Sequence, residues 1–188
     1  MNPPTKISFS LLFLLTLTLL LACARPTATQ TANANANQTA STQPSSGPAA
    51  RVDKFVGSWG GYSGRSSAVS GQVSLDSRFM NTVVKQAGPG AVTFEGDIWQ
   101  AKGSLRYDAA ADKYLLSFEA EDFPKLTDVP LKFSDAEGYA GEATLSHKGK
   151  EAKATVTIKD EQGTAHWSMR VNQGKDMWSF RIALGKEK

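Results

Sequence analysis

Residues 165–184 read AHWSMRVNQGKDMWSFRIAL, in which two runs of alternating apolar and polar side chains flank a short polar stretch. The first run places apolar residues at odd positions from 165 to 171, and the second at even positions from 178 to 184. Successive side chains of a β-strand point to opposite faces of a sheet, so this period of two is typical of strands with one buried face. The stretch between them, NQGK at 172–175, contains residues that favour turns. We therefore predict two strands joined by a tight turn.

The same period of two recurs along much of the chain after residue 50. Residues 114–121 and 152–159 alternate in the same way. Further candidate strands are residues 56–63, 68–76, 78–87, 91–97, 99–107, 129–134 and 138–146, and a helical turn is indicated only near Val52 to Val56. About ten short strands separated by tight turns favour an antiparallel meander over βαβ units. We predict an all-β domain closed into a barrel, which leaves no exposed sheet edge, with a β-sandwich as the alternative.

The start of the chain has the anatomy of a secretory signal. Lys6 precedes an uncharged, mostly apolar run from Ile7 to Leu21, and the single cysteine of the chain, Cys23, follows shortly after. A transmembrane helix is the alternative, but spanning a bilayer takes about 20 apolar residues and this run is shorter. The run also contains four hydroxyl-bearing residues: Ser8, Ser10, Thr16 and Thr18. We predict that residues 1–22 are a signal peptide.

The sequence Leu20-Leu21-Ala22-Cys23 resembles the lipobox of bacterial lipoproteins, with an aliphatic residue three positions before the cysteine and a small residue directly before it. The resemblance implies cleavage after residue 22, a thioether-linked diacylglycerol on Cys23, and an extracytoplasmic protein anchored to the cell membrane or outer membrane. Ala24 stands where an Asp commonly signals inner-membrane retention, which favours the outer membrane. The alternative is an ordinary signal with a free Cys23, and an unpaired thiol would be a liability in an oxidising compartment.

The lipidated cysteine is expected to begin a disordered tether, residues 23–50. From Pro26 to Ala50 the chain has no charged and no large apolar residue, so it cannot bury enough apolar surface to offset its ordering entropy. The folded domain is predicted over residues 51–188. It holds all 18 acidic residues and all but two of the 21 basic ones, so its charge is nearly balanced and gives no sign of nucleic-acid binding.

The opening of this domain, FVGSWGGY at residues 55–62, is similar to the Gly-x-Trp-x-Gly start of lipocalin-like (calycin) barrels. In those barrels a Trp on the first strand plugs the floor and a Gly permits close backbone approach, which here implies such a role for Trp59. Four short motifs follow in an order similar to that of a bacterial family of unknown function related to the nitrobindins: residues 77–80, 93–96, 105–108 and 113–114. The resemblance covers most of residues 52–184 and implies a ten-stranded lipocalin-like barrel.

The resemblance to the nitrobindins does not imply that this protein binds haem. Nitrobindins bind haem through a His on the last strand, and the corresponding position here is Ser179. We therefore expect neither haem nor another cofactor.

Large apolar side chains on the predicted inward face could surround a lumen that holds one small ligand. The candidates are Trp59, Met80, Phe94, Trp99, Leu105, Tyr114, Leu116, Phe118, Trp167, Met169, Trp178, Phe180 and Ile182. The alternative is that these residues simply fill the core, because large aromatic side chains dominate core burial. Three arginines are candidates for an orienting polar group, although alternation points Arg106, Arg170 and Arg181 outward.

Catalytic and metal-binding constellations are not evident in the sequence. The two histidines, His147 in a predicted turn and His166 on a polar strand face, are both expected to be exposed. A metal site needs three or four converging ligands, and no cluster of His, Cys, Asp and Glu has the required spacing. The acidic residues 119–122 and 135–137 are expected at solvated rims. Neither a Gly-x-Ser-x-Gly elbow nor a phosphate-binding glycine loop is present.

These observations predict a non-enzymatic lipoprotein of the cell envelope. It would bind a small apolar or amphipathic molecule in the barrel lumen, by burial and without chemistry. The expected partner is the membrane, through the lipid on Cys23. The alternative is an interaction or structural module that uses its outer surface on an envelope protein.

Overall fold

The computed structural model describes residues 47–188. The predicted signal peptide, the lipidation site at Cys23 and all but the last four residues of the predicted tether lie outside them.

Ten antiparallel strands form a closed barrel, in which each strand pairs with its neighbours in the chain and β1 pairs with β10. The predicted all-β meander barrel is confirmed, and the β-sandwich alternative is wrong. The elements are α1 Pro48–Asp53, β1 Gly57–Val69, β2 Gln72–Gly88, β3 Ala91–Gly96, β4 Lys102–Asp108, β5 Lys113–Ala120, β6 Phe123–Ser134, β7 Gly138–His147, β8 Lys150–Glu161, β9 Thr164–Gln173 and β10 Asp176–Lys186.

Several element boundaries differ from the predicted ones. The first hairpin turns at Ser70-Gly71, inside the predicted strand 68–76, because both residues take positive φ values of 51° and 80°. Strand β6 begins at Phe123, well before the predicted residue 129. The helix begins at Pro48, within the predicted tether, so the ordered domain starts before residue 51.

The connections between strands alternate between two ends of the barrel, which we call the floor and the mouth. The floor carries α1 and the connections that precede β3, β5, β7 and β9; the mouth carries those that precede β2, β4, β6, β8 and β10. No helix among residues 47–188 has the length and apolar character needed to cross a membrane.

The segment after α1 plugs the floor. Phe55 exposes 2% of its surface and packs against the rings of Trp59, Tyr139 and Trp167, with centroids 6.3, 6.1 and 5.8 Å away. Trp59 Nε1 donates a hydrogen bond of 2.7 Å to the Phe55 carbonyl. The Tyr139 hydroxyl donates to the Arg51 carbonyl at 2.9 Å, and burial raises the pKa of this phenol. The floor is therefore closed by aromatic packing, and hydrogen bonds satisfy the Trp59 indole and the Tyr139 hydroxyl.

A glycine beside Trp59 allows the first and last strands to approach. A Cβ at Gly61 would clash with the backbone carbonyl of Ala183 on β10. The close backbone approach implied by the Gly-x-Trp-x-Gly resemblance is present, and it lies where the ring of strands closes.

Candidate ligand site at the barrel mouth

The residues predicted to line a lumen are all buried, and they fill the barrel. Trp59, Met80, Phe94, Trp99, Tyr114, Phe118, Trp167, Met169, Trp178 and Phe180 each expose no more than 6% of their surface. Phe94 and Trp167 meet edge to face at 4.9 Å, and Phe118 and Phe180 meet in the same way at 4.9 Å. The void left beside Trp59, Phe94 and Trp167 measures about 20 Å³.

A small-molecule site usually occupies roughly 300 Å³ or more, so the void beside Trp59 is too small for a ligand. The expectation of an open lumen is therefore not met within the described barrel. Interlocked aromatic rings occupy the space that was expected for the ligand.

Trp99 lies outside a strand, contrary to prediction. It sits in the connection between β3 and β4 with a φ of 53°, and its ring packs edge to face on Phe180 at 5.4 Å. Trp99 Nε1 donates to the Asp76 carboxylate at 3.3 Å. The ring thus covers the mouth side of the core, and it does not line a cavity within it.

A pocket of about 450 Å³ opens at the mouth, on the far side of the packed core from α1. Its walls come from the β1–β2 hairpin, the connections that precede β6 and β8, and β10. Its lining includes the largely buried rings of Trp178 and Phe123 and the serines Ser66, Ser67 and Ser179. The pocket therefore combines an apolar surface with several hydrogen-bonding groups, and its volume suits a small molecule.

His147 contributes an imidazole to this pocket. Strand β7 continues through His147, so the residue is half-buried and does not lie in an exposed turn as predicted. Its ring packs edge to face against Trp178 at 4.9 Å, and its Nε2 is buried with no hydrogen-bond partner among the described residues. Burial, with a smaller effect of Lys148, lowers the pKa of His147 below its usual value. The imidazole is therefore neutral at pH 7, and Nε2 can donate or accept according to its tautomer.

Arg65 holds the hairpin wall of the pocket in place. Its guanidinium donates to the Glu121 carbonyl at 3.2 Å and lies 3.4 Å from the Asp122 carboxylate. It also lies 3.8 Å from the carboxylate of Asp76 and 5.2 Å from the Trp99 ring centroid. The acidic residues 121 and 122, expected at a solvated rim, thus link the β5–β6 connection to β1 across the mouth.

Asp76 joins this rim through a second arginine. Arg78 lies 2.8 Å from the Asp76 carboxylate, and its hydrogen bond is the main reason why the pKa of Asp76 is lowered. The Trp99 indole adds to the effect. The charges of the rim are therefore largely neutralised by one another.

Sequence reasoning missed Arg65 and the buried position of His147. The only available signal for Arg65 was its odd position on β1, which places it on the same face as Trp59 and Ser63. Because the residues around Arg65 are mostly serines, the sequence there shows no clear alternation of apolar and polar side chains.

The other polar candidates lie on the outer surface of the barrel, as the alternation of side chains along the strands predicts. His166, Arg106, Arg170 and Arg181 are exposed on the outer surface, and Arg106 lies 3.4 Å from the Asp128 carboxylate. Ser179, which stands at the haem-ligand position of the resemblance, is 7% exposed and lines the mouth pocket. Among residues 47–188, no group of three or more His, Cys, Asp and Glu side chains is arranged to hold a metal ion.

The arrangement at the mouth can enclose an amphipathic molecule. An aromatic or aliphatic part would contact the exposed edges of Trp178 and Phe123, and a polar part would lie beside His147 and the serines of the lining. Comparison of the chain with protein-family models, with curated proteins and with solved structures finds no match.

Proposed function

We propose that this protein is a lipid-anchored lipoprotein of the cell envelope that binds a small amphipathic molecule at the barrel mouth. The observation that carries the proposal is the pocket of about 450 Å³, in which the buried His147 Nε2 has no partner among the described residues and lies beside the Trp178 ring. A buried polar atom without a partner costs about 1–3 kcal/mol, and a ligand that bonds to it recovers that cost.

The anchoring part of the proposal rests on the sequence around Cys23. The resemblance of Leu20-Leu21-Ala22-Cys23 to a lipobox supports acylation of Cys23 and a position outside the cytoplasm. More than one acyl chain is needed for stable anchoring, which a diacylated or triacylated cysteine provides.

The binding part of the proposal differs from the lumen ligand expected from the sequence. The ten-stranded closed barrel agrees with the architecture that the calycin resemblance implies. Its core is packed with aromatic rings, so the ligand is placed at the mouth, above Trp178. No chemical step is proposed.

The test is native mass spectrometry on the mature full-length protein purified from a bacterial envelope, comparing the natural chain with His147→Gln and His166→Gln. The natural chain is expected to carry a reproducible extra mass, beyond its acyl chains, that is lost on denaturation. His147→Gln should reduce the ligand-bound fraction at least about tenfold, since a buried hydrogen bond contributes about 1.4 kcal/mol or more when its partner is left unpaired.

His166→Gln is the matched control, because His166 is exposed on the outer surface and away from the pocket. It should retain the natural bound fraction. An extra mass that survives unchanged in His147→Gln would contradict the mouth site. A bare polypeptide mass in all three proteins, together with no binding of an anilinonaphthalene sulfonate probe, would contradict a carrier function.

A further inference from the structure

The outer surface of the first hairpin carries an unusual set of exposed apolar side chains. In the described part of the chain, the large apolar residues that are strongly exposed all lie on β1 and β2: Tyr62 70%, Val73 81%, Leu75 79%, Phe79 53% and Val83 46%. The four on β2 are at odd positions and so share one face of the strand. Tyr62 lies opposite Phe79, and their rings meet edge to face at 5.8 Å. The result is an apolar stripe along β2, which Ser77 and Asn81 interrupt.

Two arginines lie on the other side of β1 from this stripe: Arg181 on β10 and Arg170 on β9. Arg181 on β10 is paired with Gly64, which in turn is paired with Ser77 on β2. In the adjacent row of the sheet, Arg170 is paired with Ser179. Small side chains separate the stripe from the arginines, and a depression of about 250 Å³ lies between Leu75 and the two guanidinium groups. Stripe, depression and arginines form one continuous surface, which we call the hairpin face.

Arg170 and Arg181 differ from the other arginines of the barrel. Arg65, Arg78 and Arg106 lie within 4 Å of carboxylates, and Arg51 donates to the Tyr114 hydroxyl at 3.5 Å. Within residues 47–188, neither Arg170 nor Arg181 has a carboxylate within that distance. Both are exposed. Among residues 47–188, neither guanidinium therefore forms an ion pair.

We propose that the hairpin face lies against the anionic surface of the bilayer in which the protein is anchored. An exposed apolar stripe that includes aromatic rings, with unpaired arginines beside it, combines the two features that bind proteins to an anionic lipid surface. This inference rests on the proposed lipid anchor at Cys23. Between Cys23 and Gly47 lie 23 residues. A chain of that length spans at most about 80 Å, which is ample for the barrel to reach the surface.

Charge argues against a second copy of the chain as the occupant. A twofold dimer through this face would bring the like-charged arginines of two protomers close together. The carboxylates that border the apolar residues, Glu95 and Asp97, lie beside Val83 and Asn81, in other rows of the sheet than the arginines. A bilayer with anionic headgroups supplies the complementary charge. Because the anchor holds the barrel near the surface, even a weak contact would be populated, as in any linked pair of binding events.

The test uses the mature, acylated protein in vesicles. Cys23 is the sole cysteine and is blocked by acylation under the proposal, so Ser77→Cys introduces a unique thiol on the hairpin face for a fluorescent label. Ser146→Cys, an exposed serine on β7 across the barrel, is the matched control. Vesicles contain phosphatidylcholine with or without phosphatidylglycerol, and a nitroxide quencher is carried by the lipid headgroup.

In vesicles with phosphatidylglycerol, the label at position 77 should be quenched several-fold more than the label at 146. Arg170→Gln combined with Arg181→Gln should lower the ratio of docked to undocked protein at least about tenfold, since each basic side chain near an anionic surface contributes about 1 kcal/mol. Lys132→Gln combined with Lys150→Gln removes the same charge elsewhere, from two exposed positions, and should leave quenching at 77 unchanged.

Two failures can be told apart. The first failure is equal quenching of the labels at positions 77 and 146 in protein that floats with the vesicles and has an acylated amino terminus. This result would overturn the docking and leave the anchor intact. The hairpin face would then be open to a protein partner. Protein that does not float, with an unmodified Cys23 by mass, overturns the anchor and this inference with it. Quenching at 77 that persists in the arginine variant overturns the role of Arg170 and Arg181.

Discussion

Thr82 shows how a single polar atom is left unsatisfied by the packing of the barrel. Its hydroxyl is buried with no hydrogen-bond partner among the described residues, next to the small apolar void beside Trp59 and Trp167. Replacing such a hydroxyl with a methyl group removes the cost of its desolvation while keeping the shape of the side chain. We expect Thr82→Val to raise the free energy of unfolding by about 1 kcal/mol, measured by chemical denaturation.

Ser63→Ala is the matched control for that measurement. Ser63 is 2% exposed, and its hydroxyl donates to the Arg78 carbonyl at 3.4 Å. Its removal should lower the free energy of unfolding by about 1 kcal/mol. A loss of stability in Thr82→Val comparable to that in Ser63→Ala would show that the Thr82 hydroxyl is satisfied in solution.

His147 gives the protein a specific response to acid. The unfolded chain takes up a proton near the ordinary histidine pKa of 6.5, whereas burial lowers the pKa of His147 in the folded state. The unfolded state therefore binds more protons in this range, so the free energy of unfolding contributed by this group falls as the pH falls from about 7 to 5. His147→Gln should have a flatter stability profile over that interval, and His166→Gln should follow the natural chain. Parallel profiles for His147→Gln and the natural chain would refute the assignment.

At the level of elements, α1 depends on the barrel for its stability. It has six residues, and its N-cap, Gly47, makes no side-chain capping bond, although a proline stands at the first turn. A helix this short is not stable alone in water, because nucleation costs more than a few hydrogen bonds return. What holds α1 is the packing of Phe55 and the hydrogen bonds from Tyr139 and Tyr114 to its carbonyls.

Phe55→Ala should therefore unfold the floor plug as well as weaken the barrel. We expect a loss of about 3–5 kcal/mol in the free energy of unfolding, as is usual for a buried phenylalanine. Hydrogen exchange should show faster exchange in residues 48–56. Tyr62→Ala, which removes a ring that is 70% exposed on β1, is the control and should change stability by less than about 0.5 kcal/mol. If Phe55→Ala lowers the free energy of unfolding but leaves hydrogen exchange in α1 unchanged, then α1 does not depend on the packing of Phe55.

The strands illustrate which elements could be predicted from the sequence. Strands β8, β9 and β10 were predicted closely because their inward residues are apolar and most of their outward residues are polar. The β1–β2 hairpin was placed wrongly because its outer face carries apolar residues such as Val73 and Leu75, while its inner face carries polar residues such as Arg65, Asp76 and Arg78 near the mouth. Where both faces are mixed, a period of two no longer marks the buried side.

For the whole molecule, the closed barrel was predictable and the position of the site was not. A long meander of strands favours closure for a general reason, the cost of exposed edges. Whether the interior is open depends on how rings from distant strands interlock, as Phe94 of β3 does with Trp167 of β9. The mouth pocket likewise joins residues from β1, β7 and β10, which only the closed ring brings together. The alternation of apolar and polar residues identified the buried side chains, but it carried no information about contacts between strands that are distant in the sequence.

The pairing of β1 with β10 also governs when the molecule can fold. Trp59 lies opposite Lys186 and Ala68 opposite Met177, so the ring cannot close until β10 is available to pair with β1. A chain that is made and moved across a membrane from its amino end would therefore expose unpaired edges throughout its passage. The topology that leaves the finished barrel without an open edge thus delays closure of the sheet until its first and last strands are both present.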